Sequence, residues 1–83
     1  MEKRVALIGI IVEDESKATE LNAILHDYRE YIIGRMGIPF RENNINIISV
    51  AINAPQKDIS ALSGKIGMID GISAKVIYQR EKH

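Results

Sequence analysis

Two arginines and a glycine sit close together in Arg35-Met36-Gly37-Ile38-Pro39-Phe40-Arg41-Glu42. A guanidinium is a planar fork of donors that fits a carboxylate or a phosphate. A glycine lets a ligand approach the backbone. Arg35, Gly37 and Arg41, joined by Lys65 from a later segment, therefore make a candidate ligand-binding pocket for a small anion near the end of a strand. The plainer reading carries more weight on residue types alone. It is an edge strand guarded by charge, with Arg41 and Glu42 solvated in a turn.

The other chemically capable groups point to less. Ser63-Gly64-Lys65-Ile66-Gly67 looks superficially like a phosphate loop, but it lacks the P-loop pattern and falls late in a helix. Gly64 is read instead as a residue that lets the helix pack closely on the sheet. Glu13-Asp14-Glu15 has oxygen ligands for a hard cation, although helix-capping charge is the simpler role. His26 suits the negative end of a helix. Ser16 has no general base near it in sequence, so no nucleophile–base set can be named. Tyr28, Tyr31 and Tyr78 are too few and too scattered for a base-stacking platform. No catalytic residue and no metal ligand set emerge, no cofactor is implied, and an enzyme is not expected.

Composition narrows the classes. The chain has 83 residues, enough for one domain, residues 1–83. A domain of this size buries only roughly 60–65% of its unfolded surface, so small scaffolds lean on disulfides, metals or oligomerisation. There is no cysteine, and the only histidines are His26 and His83, which leaves oligomerisation. Lys plus Arg and Asp plus Glu number 11 each, so no basic footprint for nucleic acid exists. The longest apolar run, Val5–Val12, is eight residues, against the ~20 of a membrane helix. It runs straight into Glu13-Asp14-Glu15, unlike a signal peptide. A cytoplasmic protein is expected.

The elements that must position these residues come from an internal repeat. An offset of 41 lays Leu7 on Ile48, Ile11 on Ile52, Leu21 on Leu62 and Leu25 on Ile66. Each half reads strand, helix, strand, which predicts a ferredoxin-like βαββαβ fold of class α+β. The strands are placed at Arg4–Glu13, Glu30–Ile38, Ile45–Asn53 and Ile72–Gln79. The helices are Ser16–Tyr28, with an apolar stripe of Ala18, Leu21, Ile24, Leu25 and Tyr28, and a second helix starting at Ala54-Pro55, with Ile59, Leu62 and Ile66 inward. Pro39 is expected to end the second strand, and Asn43-Asn44 and Asp70-Gly71 mark turns. The tail Arg80–His83 is expected to fray. The predicted sheet is antiparallel, in the order 4-1-3-2, with both helices on one face.

One consequence reaches towards function. The first strand is aliphatic on both pleat faces, with Val5, Leu7 and Ile11 on one and Ala6, Ile8, Ile10 and Val12 on the other. The third strand is nearly so. Two helices cover one face, and an apolar second face is a liability in a monomer. A homodimer or higher oligomer packing sheet to sheet is expected. Pattern alone does not say whether Leu7 or Ile8 faces out.

The segments Arg35-Met36-Gly37-Ile38-Pro39 with Arg41-Glu42, and Ala61-Leu62-Ser63-Gly64-Lys65-Ile66-Gly67, resemble those of the iron-only hydrogenase system regulators. The likeness covers nearly the whole chain. It implies an ACT-like fold similar to the ligand-binding domain of nickel-responsive repressors, and a regulatory role. Two features depart from those relatives. Glu13-Asp14-Glu15 stands where amino-acid-binding ACT domains have a glycine-containing loop. The Cys and His ligands and the DNA-binding ribbon-helix of nickel repressors are missing. The sequence thus supports a cytoplasmic regulatory module that binds a small anionic ligand or a partner protein, acts as a homo-oligomer, and touches neither DNA nor membrane. The competing view is a purely structural oligomerisation module without a ligand.

Overall fold

Both halves of the repeat contribute to one sheet. The computed structural model describes residues 2–80. The elements are β1 (Lys3–Val12), α1 (Ala18–Asp27), β2 (Ile32–Phe40), β3 (Ile45–Pro55), α2 (Gln56–Gly67) and β4 (Ile72–Tyr78). All neighbouring strands are antiparallel, and the order β2-β3-β1-β4 is the expected one. This is an α+β, ferredoxin-like arrangement. Residues 81–83 of the expected frayed tail lie outside the described residues.

Register assigns the faces. Ile8 pairs with Val50, Ala6 with Ile52 and Ile10 with Ile48 on one face. Leu21 and Leu25 of α1 and Ile59, Leu62 and Ile66 of α2 pack on that same face, in one buried cluster. Ile8 is 0% exposed and Leu7 is 42% exposed, so Leu7 looks away from the helices. The apolar stripes of both helices are the ones their 3.6-residue period predicts.

Ends of elements differ from expectation in instructive ways. Pro39 does not end β2; the strand continues to Phe40, with Pro39 opposite Asn46. β2 is an edge strand, and on its unpaired side a missing N–H removes no ladder bond. Pro55 is buried as the last residue of β3 and precedes the first turn of α2 rather than lying in it. The start of the first helix is a 3-10 turn, Glu15–Lys17, leading into α1. Asp14 caps it, accepting from the Ser16 backbone N–H at 3.0 Å and from its hydroxyl at 2.7 Å.

β2 carries a bulge. Ile32 pairs with Ile52, but Gly34 pairs with Ala51, so Ile33 is an extra residue. An inserted residue reverses which side of the strand every later side chain faces. Arg35, Gly37 and Pro39 consequently share the helix side with Val50, Ile48 and Asn46. Met36, Ile38 and Phe40 share the far side with Ser49, Ile47 and Ile45.

Two glycines separate turn geometry from packing. Gly71 has φ of +83°, and a Cβ there would stand 2.7 Å from the Asp14 Cβ. The Gly71 carbonyl also accepts from the Glu13 N–H at 2.7 Å. Gly64 corrects the expectation of close helix–sheet packing, because a Cβ there meets nothing within 4 Å. It sits on the solvent side of α2, about half a turn from Leu62 and Ile66 of the core stripe. Gly64→Ala should therefore stabilise the fold by about 1 kcal/mol, raising the melting temperature by roughly 4–8 °C for a domain of this size. Gly71→Ala should destabilise it by at least about 1 kcal/mol, through strain and the Asp14 clash. Thermal unfolding of both variants checks the pair, and a Gly64→Ala protein that melts lower would contradict the open surroundings of that position.

Candidate functional site

The sequence-derived residues fall at three places along the fold. Arg35 lies on the helix side of β2, where its Nη2 donates to the Asn22 Oδ1 of α1 at 2.9 Å. Gly37 is two residues on, opposite Ile48. Arg41 lies past the end of β2, in the 3-10 turn Arg41–Asn43. The strand from Arg35 to Phe40 spans about 17 Å, so Arg35 and Arg41 of one copy stand at different heights on the hairpin. Lys65 lies in the last turn of α2, with its Nζ 5.1 Å from the centre of the Tyr28 ring. Hydrogen bonding by Tyr28, and then its charge, raises the Lys65 pKa above that of an ordinary lysine. Arg35 and Gly37 share a strand face, Arg41 lies in the turn beyond that strand, and Lys65 lies on α2 against Tyr28.

Arg35 does meet residues that sequence motifs did not single out. A cleft of about 400 Å³ opens between α1 and β2, lined by Asn22, Leu25, His26, Arg29, Ile32 and Arg35. Arg29 donates from Nη1 to the His26 carbonyl at 2.9 Å, so it closes the end of α1. The Tyr28-Arg29-Glu30 segment has no recognisable spacing. The available signal was the position of Arg29, two residues beyond the end of α1.

The acidic segment Glu13-Asp14-Glu15 serves the local fold. Asp14 is committed to Ser16, and these bonds hold its carboxyl below the usual carboxylate range, with the side-chain bond the larger cause. Among the described residues no group of three or more His, Cys, Asp and Glu is placed to hold a metal ion.

The second surface is the sheet face without helices. Val5, Leu7 and Ile11 of β1, Ile47 of β3, Met36, Ile38 and Phe40 of β2 and Ile77 of β4 are all exposed. Pairing makes them contiguous: Ile77 neighbours Leu7, and Ile11 neighbours Ile47, which neighbours Ile38. Gly34, Ala51, Gly9 and Ser49 form a shallow band of small residues across the same face. Charge enters this face at its margins, through Lys75 on the edge strand β4 and Lys3 at the start of β1. Among the described residues no helix is long and apolar enough to cross a membrane.

Fold and surfaces define a small ferredoxin-like α+β domain with one sheet face left uncovered by the described residues. Known proteins refine that class. Residues 4–76 match the TM1266-like family, described as "Iron-only hydrogenase system regulator, putative". The structure of uncharacterized protein TM1266 from Thermotoga maritima is 40% identical, superposes with a TM-score of 0.90, and is matched over 95% of this chain and 100% of that one. The chain belongs to the TM1266-like family. A formyltetrahydrofolate deformylase from Pseudomonas putida KT2440 shares the fold at 11% identity and a TM-score of 0.63, over 88% of this chain and 28% of that one. No curated protein matches.

The cap gives a pH prediction. A carboxyl whose pKa is depressed by folding adds stability above its unfolded pKa and loses it as the pH falls through the folded value. The Asp14 contribution should be complete at neutral pH and vanish on acidification below the ordinary carboxylate range. Ser16→Ala should move the Asp14 pKa upward, towards that range, in a carboxyl-detected NMR titration. An unchanged midpoint would show that Ser16 does not hold the charge.

Proposed function

We propose that this chain is a non-enzymatic, ACT-like regulatory module that works as a homo-oligomer in the cytoplasm, in the regulation of an iron-only hydrogenase system. The oligomer forms through the helix-free sheet face, and a second copy of the chain is its occupant. The observation that carries this reading is the contiguous aliphatic patch spanning all four strands. Its chemistry suits self-association. An isologous interface brings a patch against itself, and a face whose charges lie at the rim does so without opposing like charges at the centre. The large side chains Leu7, Ile11, Ile47 and Met36 border the small ones Gly9, Ser49 and Ala51, so ridges of one copy have hollows to enter on the other.

Family membership supports the regulatory role. The ligand in this reading is a small anion on the β2 flank, with Arg35, Gly37, Arg41 and Lys65 as candidate contacts. A structural oligomerisation module without a ligand is distinguished by thermal shift, since a ligand that binds only the native state raises its stability by mass action.

Sedimentation at micromolar concentration should give a dimer or a higher species. Leu7→Asp and Ile47→Asp place a charge at the centre of the face without touching the core, and each should yield a monomer with the parental circular dichroism spectrum. A wild-type monomer at micromolar concentration would overturn the oligomer reading.

A further inference from the structure

The cleft between α1 and β2 brings two cations onto an apolar floor. Arg35 enters from the strand and Arg29 from the end of the helix, with Leu25 and Ile32 beneath and Asn22 and His26 on the helix wall. Each guanidinium is held by one neutral acceptor, the Asn22 carboxamide oxygen for Arg35 and the His26 carbonyl for Arg29. Among the described residues no Asp or Glu lines the cleft. A guanidinium has five N–H donors, so these single bonds fix the two forks and leave most of their donors unspent. Arg29 also takes up a terminal carbonyl of α1, which offsets the negative helix end that would otherwise oppose an anion here. The volume of about 400 Å³ falls in the range of small-molecule sites, roughly 300–1,000 Å³.

We propose that this cleft binds a small organic oxyanion. A carboxylate or phosphate head lies between Arg29 and Arg35, and a short apolar body covers Leu25 and Ile32. The proposal rests on the reading of the chain as a ligand-binding regulatory module. It replaces Arg41 and Lys65 with Arg29, Asn22 and His26 as the partners of Arg35. The bulge at Ile33 is part of the device. Without it, Arg35 would point to the opposite face of the sheet, and Met36 would face the helices. β2 thereby serves two surfaces at once, with its arginine in the cleft and its Met36, Ile38 and Phe40 on the oligomer face.

Phenyl phosphate, benzoate and inorganic phosphate, titrated at constant ionic strength into the ¹⁵N-labelled full chain, test the proposal. Expected is saturable binding of phenyl phosphate or benzoate, with shifts confined to residues 22–35 and weaker binding of inorganic phosphate, which lacks the apolar body. The two organic probes distinguish a phosphate from a carboxylate head. Arg29→Gln and Arg35→Gln should each weaken binding by about tenfold or more, with spectra that remain folded. Arg41→Gln and Lys65→Met should change it by less than about twofold. Absence of saturation for every probe by about 10 mM would overturn the proposal, as would shifts centred elsewhere. If Arg41→Gln weakens binding as much as Arg35→Gln, the site is the strand-end one and the cleft assignment is wrong. Sedimentation of the same variants reads the oligomer separately, so loss of the anion site leaves that reading standing or falling on its own result.

Discussion

The sheet is aliphatic on both faces, and the described chain supplies helices for one. Most other features of the molecule follow from that imbalance. Ala6, Ile8, Ile10, Val50 and Ile52 are sealed by α1 and α2 into one core, while Leu7, Ile11, Ile47 and Ile77 are left in contact with water. At about 25 cal/mol per Å² of apolar area, covering a patch of this kind yields far more than the few tenths of a kcal/mol typical of surface contacts. A small domain without disulfides gains from burying it against another copy. The same constraint fixes the use of polar residues. Most are pushed to the sheet edges, the helix backs and the turns, and Arg35, Asn22 and Arg29 accordingly lie on the β2 flank rather than on the helix-free sheet face.

Pairing between particular residues shows what the sequence carried and what it did not. The repeat relating Leu7 to Ile48 and Leu25 to Ile66 was enough for element order, sheet order and the inward stripes, because strand and helix periods leave distinct patterns. Which of Leu7 and Ile8 faces inward needed the sheet register, since both are large aliphatics and an all-apolar strand has no alternation to read. A glycine beside small neighbours reads alike in sequence whether the adjoining space is filled or empty, so the packing role expected of Gly64 does not hold. The rule against proline in a ladder does not apply on the open side of an edge strand, so Pro39 lies within β2 rather than ending it.

The candidate site was legible only in part, for a related reason. Arg35 was visible as a chemically capable group near a glycine. Its partners were not, because a one-residue bulge at Ile33 decides which face it occupies, and no residue type in Ile32-Ile33-Gly34 announces that insertion. Proximity in sequence grouped Arg35 with Arg41, but an extended strand separates residues quickly, and five strand residues already span about 17 Å. The helix–strand gap instead groups Arg35 with Asn22, thirteen residues earlier.

The central claim is that the helix-free sheet face is where two copies meet. Isotope-filtered NOE spectroscopy on a mixture of ¹³C-labelled and unlabelled chains tests it most directly, because only contacts between copies give signals. The predicted result is intermolecular NOEs to the methyl groups of Leu7, Ile11, Ile47 and Ile77, with none to the core methyls of Leu62 and Ile66. Intermolecular NOEs confined to the helix backs, or a complete absence of them at concentrations where the protein is well folded, would contradict it.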